Sequence, residues 1–316
     1  MKVADNLDIK SINKNKGASF LKDSRLESKE CLALFGGLLI IFSSIYFKVA
    51  NYLIPIKDPL SSYIVVTILS ALLVLIFRKS NLKRIANIFY YIALSILTFL
   101  SSQFFVAFIL SLFTKVDDIK GNSSLVFITS VSVYLVMLLL MVIIDLFIIR
   151  KQKFNLRYLK LDRLPNFGDV LKGLTGWGIY FLIAQIVVVV LTASNLIDVS
   201  EKQEILFSTN SYGLGLFLAF VTIVILAPLV EEILYRGILF GNLSKKINPF
   251  LAAIITSLIF GIFHGQVNVG IDTFFMSMVS CYLVWKTDSI WPGVFLHTSK
   301  NLIAFVLLFI VKFTSS

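Results

Sequence analysis

Long apolar runs separated by short, lysine-rich breaks dominate the chain. Cys31 to Phe47, running on toward Ile54, is the first. Leu60 to Phe77, Ile85 to Phe113, Leu125 to Ile149 and about Leu174 to Ile197 follow. Each approaches or exceeds the roughly 20 apolar residues that a helix needs to cross a bilayer. From Gly213 the pattern changes. Gly213 to Leu243 is one apolar stretch interrupted by Glu231, Glu232 and Arg236. Pro249 to Phe263, about Val267 to Trp285, and Ser289 to Val311 come after it. The spacing predicts an all-α fold, a polytopic membrane helical bundle of about eight or nine transmembrane helices. It divides the chain into a basic tail (1–30), amino-terminal transmembrane helices (31–200) and a carboxy-terminal helical core (212–310).

Composition narrows this further. The 316 residues are 58% hydrophobic and 15% charged, with a mean hydropathy of +0.90. Globular chains carry about 25% charged residues, so a soluble surface and a disordered chain are both excluded. Two cysteines, Cys31 and Cys281, make no disulfide scaffold and read as small apolar packers. A net charge of +11 would suit nucleic acid, but the cations sit between apolar runs. Lys and Arg favour cytosolic loops. Residues 1–30, 78–84, 150–173 and 244–249 hold seven, four, seven and two of them, whereas 48–59, 114–124, 198–212 and 264–266 hold two, two, one and none. The excess charge is therefore topological. The partner it implies is the lipid bilayer, with no nucleic acid. The chain reads as a multi-pass cell-membrane protein with a cytosolic amino terminus. The polar first 30 residues and the length of the first apolar run argue against a cleavable signal peptide.

Ionisable side chains are costly in hydrocarbon, about 2.5–3.5 kcal/mol on insertion scales, so those that occur there are candidates for function. Of eighteen acidic residues only Asp145, Glu231, Glu232 and Asp272 fall within apolar stretches, and the two histidines, His264 and His297, both lie in the carboxy-terminal third. Asp145 reads as a packing or pore-facing group, and Asp272 is expected near a span end. A helix over Gly213–Leu243 would be about 46 Å long and must tilt or bend, with Pro228 as the cause. Glu232 and Arg236 are i, i+4 neighbours in the favourable order. Glu231 points about 100° away, without that partner, which suits it to proton transfer. Phe260 and His264 share one helix face, as do His297 and Asn301. Lys300 lies on another face from Asn301 and receives no role. Asp288 or Ser289 is expected to cap the last helix, with Pro292 in its first turn. At 1.5 Å per residue, Glu231, His264, His297 and Asn301 reach depths of roughly 18, 22, 12 and 18 Å, so one buried site can contain all four.

A carboxylate, two imidazoles and an amide can activate water. Glu231 would be the general base, with His264 orienting the water or sharing that role. His297 and Asn301 would donate to a developing oxyanion. Alternatively Glu231, His264 and His297 would hold a Zn²⁺ with one open position. The sequence has no HExxH signature and no GxSG-type or GxGD-type arrangement.

Glu231-Glu232-x-x-x-Arg236, Phe260-x-x-x-His264 and His297-x-x-x-Asn301, in that order, resemble the three motifs of the CPBP family, also called the Abi or type II CAAX-protease family. The resemblance covers roughly residues 212–310; residues 1–200 resemble membrane helices in general. It implies an all-helical intramembrane protease acting on a membrane-bound peptide or protein. Glu231 and His264 would activate water, His297 and Asn301 would stabilise the oxyanion, and Glu232 and Arg236 would support the site. The family has been described both as zinc-dependent and as metal-independent, so the cofactor stays open. Its bacterial members are associated with bacteriocin immunity, pheromone processing and surface-protein control. Richness in Ile, Lys, Asn and Phe looks bacterial and argues against a prenylated substrate. Two other readings remain: a non-catalytic membrane immunity or regulatory scaffold, and a transporter. No matching pair of interrupted segments appears in the two halves, which counts against the transporter.

Overall fold

The computed structural model describes residues 83–113, 119, 122–144, 156–194, 207–208, 212–264 and 266–310. The candidate spans Cys31 to Phe47 and Leu60 to Phe77, and Asp145, lie outside the described residues. Within them the chain is helical, without strands. The elements are α1 (Lys83–Ser111), α2 (Ser123–Ile144), α3 (Phe167–Ala193), α4 (Gly213–Leu243), α5 (Pro249–Ile262), α6 (Val267–Thr287) and α7 (Trp291–Phe305, continued by a π turn, Val306–Ile310). Six of the described helices are long and apolar enough to cross a membrane; α5 is shorter.

The bundle is arranged around α4. A helix that is apolar on every side belongs inside a bundle, and every residue from Ile233 to Leu243 is buried. The core around it draws Ile92 and Ile96 from α1, Met137 and Met141 from α2, Ala252 and Ile255 from α5, and Met276 and Cys281 from α6. Cys281 packs there as a small apolar group, as expected. Along α3, by contrast, Leu171, Leu174, Leu182, Ile186 and Val189 stand exposed, the face of a helix whose outer side meets acyl chains.

Pro228 does not break α4. Residues Val221–Leu226 form a π-helical stretch just before it, and the Ala227 N–H bonds to the Thr222 carbonyl five residues back. Widening the turn accommodates the proline ring and the missing N–H. A second π stretch, Ile233–Phe240, follows the carboxylates.

The caps place the helix ends. Asn166 and Asp169 form a capping box at the start of α3, and Arg163 grips the Asp169 carboxylate, with Nη2 2.7 Å from Oδ1. That hydrogen bond holds the Arg163 guanidinium above its ordinary pKa. Asn248 caps α5 through the Phe250 N–H, with Pro249 in the first turn. Asp288 does not cap α7: it ends α6 in a left-handed conformation, φ 53°, and pairs with Lys160. Ser289 Oγ accepts weakly from the Trp291 N–H at 3.4 Å. The Trp291 indole donates to the Arg163 carbonyl at 2.8 Å, so the α6–α7 turn is tied to the segment preceding α3.

Candidate active site

The first pair of carboxylates behaves as their spacing requires. Glu232 is fully buried, with three polar groups against it. Arg236 Nη1 lies 3.0 Å from its Oε1, Ser280 Oγ donates to Oε2 at 2.7 Å, and His297 Nδ1 stands 3.3 Å from Oε1. Glu231, one position earlier and about 100° around the helix, keeps its side chain 19% exposed and sits 3.8 Å from His297 Nε2. His297 therefore stands between the two carboxylates, one ring nitrogen toward each. A carboxylate only accepts, so the Nδ1 proton is the one that meets Glu232. Nε2 is then the nitrogen that faces Glu231, across a gap wide enough to need a bridging water.

Close approach of α7 makes this possible. A Cβ built on Gly293 would stand 2.6 Å from Glu232 Oε2 and would overlap Ser280 Oγ. Only glycine lets the α7 backbone rest against that carboxylate. One turn on, His297 reaches it from the same face.

Arg236 is also fully buried. Besides the Glu232 pair it has the ring of Phe260, whose centroid lies 4.5 Å from its guanidinium carbon. None of its N–H groups is aligned for a hydrogen bond among the described residues. Phe260 is the hub of the site: its ring meets His264 edge-on at 4.7 Å and His297 at 5.7 Å. The cation and both imidazoles are thus assembled about one aromatic ring.

His264 departs from expectation. Helix α5 ends at Ile262, about 21 Å from its start at 1.5 Å per residue and short of a bilayer core. His264 sits in the turn beyond it, its N–H bonded to the Gly261 carbonyl at 3.1 Å. The ring turns back on its own helix end, with Nδ1 2.8 Å from the Phe260 carbonyl. A carbonyl only accepts, so Nδ1 donates and Nε2 carries the lone pair in the neutral ring. The turn is held where α5 and α6 cross backbone to backbone: a Cβ on Gly261 would meet the Gly270 carbonyl oxygen at 2.6 Å.

Asn301 is brought to the site's edge but not to its centre. Its amide donates to the Ile223 carbonyl at 2.9 Å, inside the π stretch of α4, where a widened turn displaces carbonyls from their helical partners. It ties α7 to that bulge. Sequence reasoning missed Tyr180 and Tyr134 and the pairing of Lys300 with Asp272. Lys300 Nζ lies 2.9 Å from Asp272 Oδ2, and the Tyr180 hydroxyl donates to Asp272 Oδ1. Asp272 is six residues into α6, near the start of that span as expected, and is paired there. On α2, Tyr134 lies within electrostatic reach of Glu231. No spacing pattern signals these, because the partners stand on different helices.

Among the described residues no three His, Cys, Asp or Glu side chains converge as a metal cluster. Of the candidate ligands Glu231, His264 and His297, His264 places Nδ1 on the Phe260 carbonyl, which leaves its lone pair on Nε2. An apolar cavity of about 540 Å³ opens between α3, α5 and α6, lined by Val187, Leu191, Gly261, Gln266, Ile271 and Phe274 among others.

Comparison with known proteins covers this region. Residues 213–303 match the family described as "Type II CAAX prenyl endopeptidase Rce1-like". A relative in Bacillus subtilis (strain 168), named "Putative membrane peptidase YdiL", is 38% identical over 77 residues, which are 24% of this chain and 32% of that protein. The match spans about a third of the relative's length. No solved structure matches.

Proposed function

We infer that this chain, whose residues 213–303 belong to the Rce1-like (CPBP) family, is an intramembrane endopeptidase that hydrolyses a peptide bond in a membrane-bound peptide or protein. One observation carries the reading. His297 is held between two carboxylates inside an apolar bundle, Nδ1 against Glu232 and Nε2 toward Glu231. Glu232 fixes the ring as a buried carboxylate fixes a catalytic imidazole, through the distal nitrogen. Water in the gap between Glu231 and Nε2 is deprotonated by Glu231 and attacks the scissile carbonyl carbon. The carbonyl π pair moves to oxygen. Glu231 then returns the proton to the departing amine as the C–N bond breaks. The lone pair on His264 Nε2 accepts the second hydrogen bond of that water and orients it. Donors to the oxyanion are His297 in its protonated form and the remaining N–H of Asn301. Arg236 compensates Glu232, so two carboxylates remain adjacent without two uncompensated charges. In this reading the steps are carried by side chains; with a bound Zn²⁺, Glu231, His264 and His297 would hold the ion and it would supply the acidity of the water.

The basic loops 78–84, 150–173 and 244–249 lie on the cytosolic side in this reading, at the cell membrane, by the charge bias of short loops. Full-length protein in proteoliposomes, compared with Glu231→Gln, tests the activity against native membrane peptides by mass spectrometry of new termini. General-base loss predicts a rate decrease of about 10²–10⁴-fold with unchanged expression and melting. Identical termini from both proteins would leave a scaffold or immunity role in its place. Metal content of the purified protein, measured beside activity before and after chelation, tests the side-chain mechanism directly.

A further inference from the structure

The Lys300–Asp272–Tyr180 group has no part in the water chemistry above, yet it lies beside it. On α7, Lys300 follows His297 by three residues, so the two side chains leave the same side of the helix. Asn301, four residues after His297, flanks it on the other side and donates to the Ile223 carbonyl. Lys300 reaches Asp272 on α6 at 2.9 Å, and Tyr180 on α3 fixes the other Asp272 oxygen. The ammonium is within electrostatic reach of both Glu231 and His264.

Two features separate this pair from a helix tie. It stands in the apolar span, where an ionic link is an expensive way to join helices that apolar packing would join. It is also not sealed: the Asp272 side chain is 31% exposed and Lys300 16%, whereas Glu232 and Arg236 are 0%. An ammonium has three donors and a carboxylate about four acceptor positions, so the pair presents an open edge with both kinds of group.

A peptide bond in a membrane can be attacked only where the chain is unwound, and unwinding frees N–H and C=O groups that lipid cannot satisfy. We propose that Lys300 and Asp272 form a backbone-binding subsite, in which Lys300 donates to a carbonyl and Asp272 accepts from an N–H of the unwound substrate segment beside the scissile bond. The proposal rests on the protease reading. Tyr180 is a positioning residue that holds the Asp272 carboxylate through Oδ1, while Lys300 takes Oδ2 and the remaining acceptor positions on both oxygens stay open.

The probe is a synthetic peptide that the wild-type chain cuts and Glu231→Gln does not. Its binding to full-length Glu231→Gln in proteoliposomes is measured with the normal backbone and with single ester replacements near the cut, each of which deletes one N–H. At one position the ester weakens binding about tenfold, and in the Asp272→Asn background that position loses its effect. Lys300→Met weakens binding by about ten- to a hundredfold, and Lys300→Arg by less. A structural tie would not couple to a substrate N–H. The proposal is overturned if no ester position couples to Asp272, or if the reversed pair Lys300→Asp with Asp272→Lys binds as tightly as the parent. If Lys300→Met does not accumulate, Tyr180→Phe, which keeps the ion pair, is read in the same ester scan with the same two outcomes. Absence of any peptide distinguishing wild type from Glu231→Gln defeats the protease reading itself, and the subsite with it.

Discussion

The closest packing in the site makes its sharpest prediction, at Gly293. A methyl group there meets Glu232 Oε2 at 2.6 Å and overlaps Ser280 Oγ. Neither neighbour can swing clear. Ser280 is fully buried, and Glu232 is held by Arg236, Ser280 and His297 together. Gly293→Ala must therefore push α7 away from α4 by several tenths of an ångström, or turn the carboxylate. Overpacking costs about 1–3 kcal/mol, offset by up to roughly 1 kcal/mol for replacing glycine with alanine in a helix. The net is a destabilisation of about 0–2 kcal/mol, small enough to leave folded protein. Activity responds far more, because misplacement of a reacting group by about 1 Å costs on the order of 10²-fold. His297 rides on the same turn of α7 and loses its 3.3 Å contact with Glu232 as the helix withdraws. Gly178→Ala is the control, since nothing lies within 4 Å of a Cβ there; it should be neutral or slightly stabilising and fully active. Both variants are compared by thermal melting in detergent and by release of peptide from proteoliposomes. Gly293→Ala with wild-type activity and unchanged melting would refute the claim that α7 rests on the Glu232 carboxylate.

Substitutions centred on three other residues test separate parts of the structure. Arg236→Met strands a fully buried carboxylate and should cost about 3–5 kcal/mol, while Arg236→Met with Glu232→Gln should recover much of that stability without activity; melting of the single and double variants measures the coupling. Asn166→Ala removes the side-chain cap at the start of α3, outside the site, and should lower stability by about 1 kcal/mol with no change in turnover per folded molecule. Asn301→Leu leaves the Ile223 carbonyl without its donor and should cost about 1–3 kcal/mol. It should also slow cleavage through the lost oxyanion donor, so Asn301→Asp, which retains size but not the N–H, separates packing from donation.

What the sequence revealed and what it hid follow from the range of the interactions involved. The span of α4, the Glu232–Arg236 pair and the outward turn of Glu231 are set within four residues on one helix, and helical periodicity exposes all three. The nearness of His297 to that pair could be argued from depth alone, because membrane helices of known direction share a ruler. Pro228 was visible as a perturbation, but not its resolution. A proline in a straight run predicts a bend, whereas a π turn absorbs it when the displaced Ile223 carbonyl finds a donor on another helix, and Asn301 is 78 positions away. His264 was assigned to a helix because its neighbours are apolar. Where the helix stops depends on Gly261 meeting Gly270, a tertiary contact. The same reason hid the link between Asp272 and Lys300: alone, one looked like a span-end group and the other like a lysine without a role. Only the crossing of α6 and α7 turns them into a pair, and only α3 supplies Tyr180. In a bilayer this asymmetry is sharper than in water, since a polar side chain without a local partner must have found a distant one or a ligand. On the proposed reading, Glu231 and the open edge of the Lys300–Asp272 pair are two described membrane positions whose remaining partner is the substrate and its water.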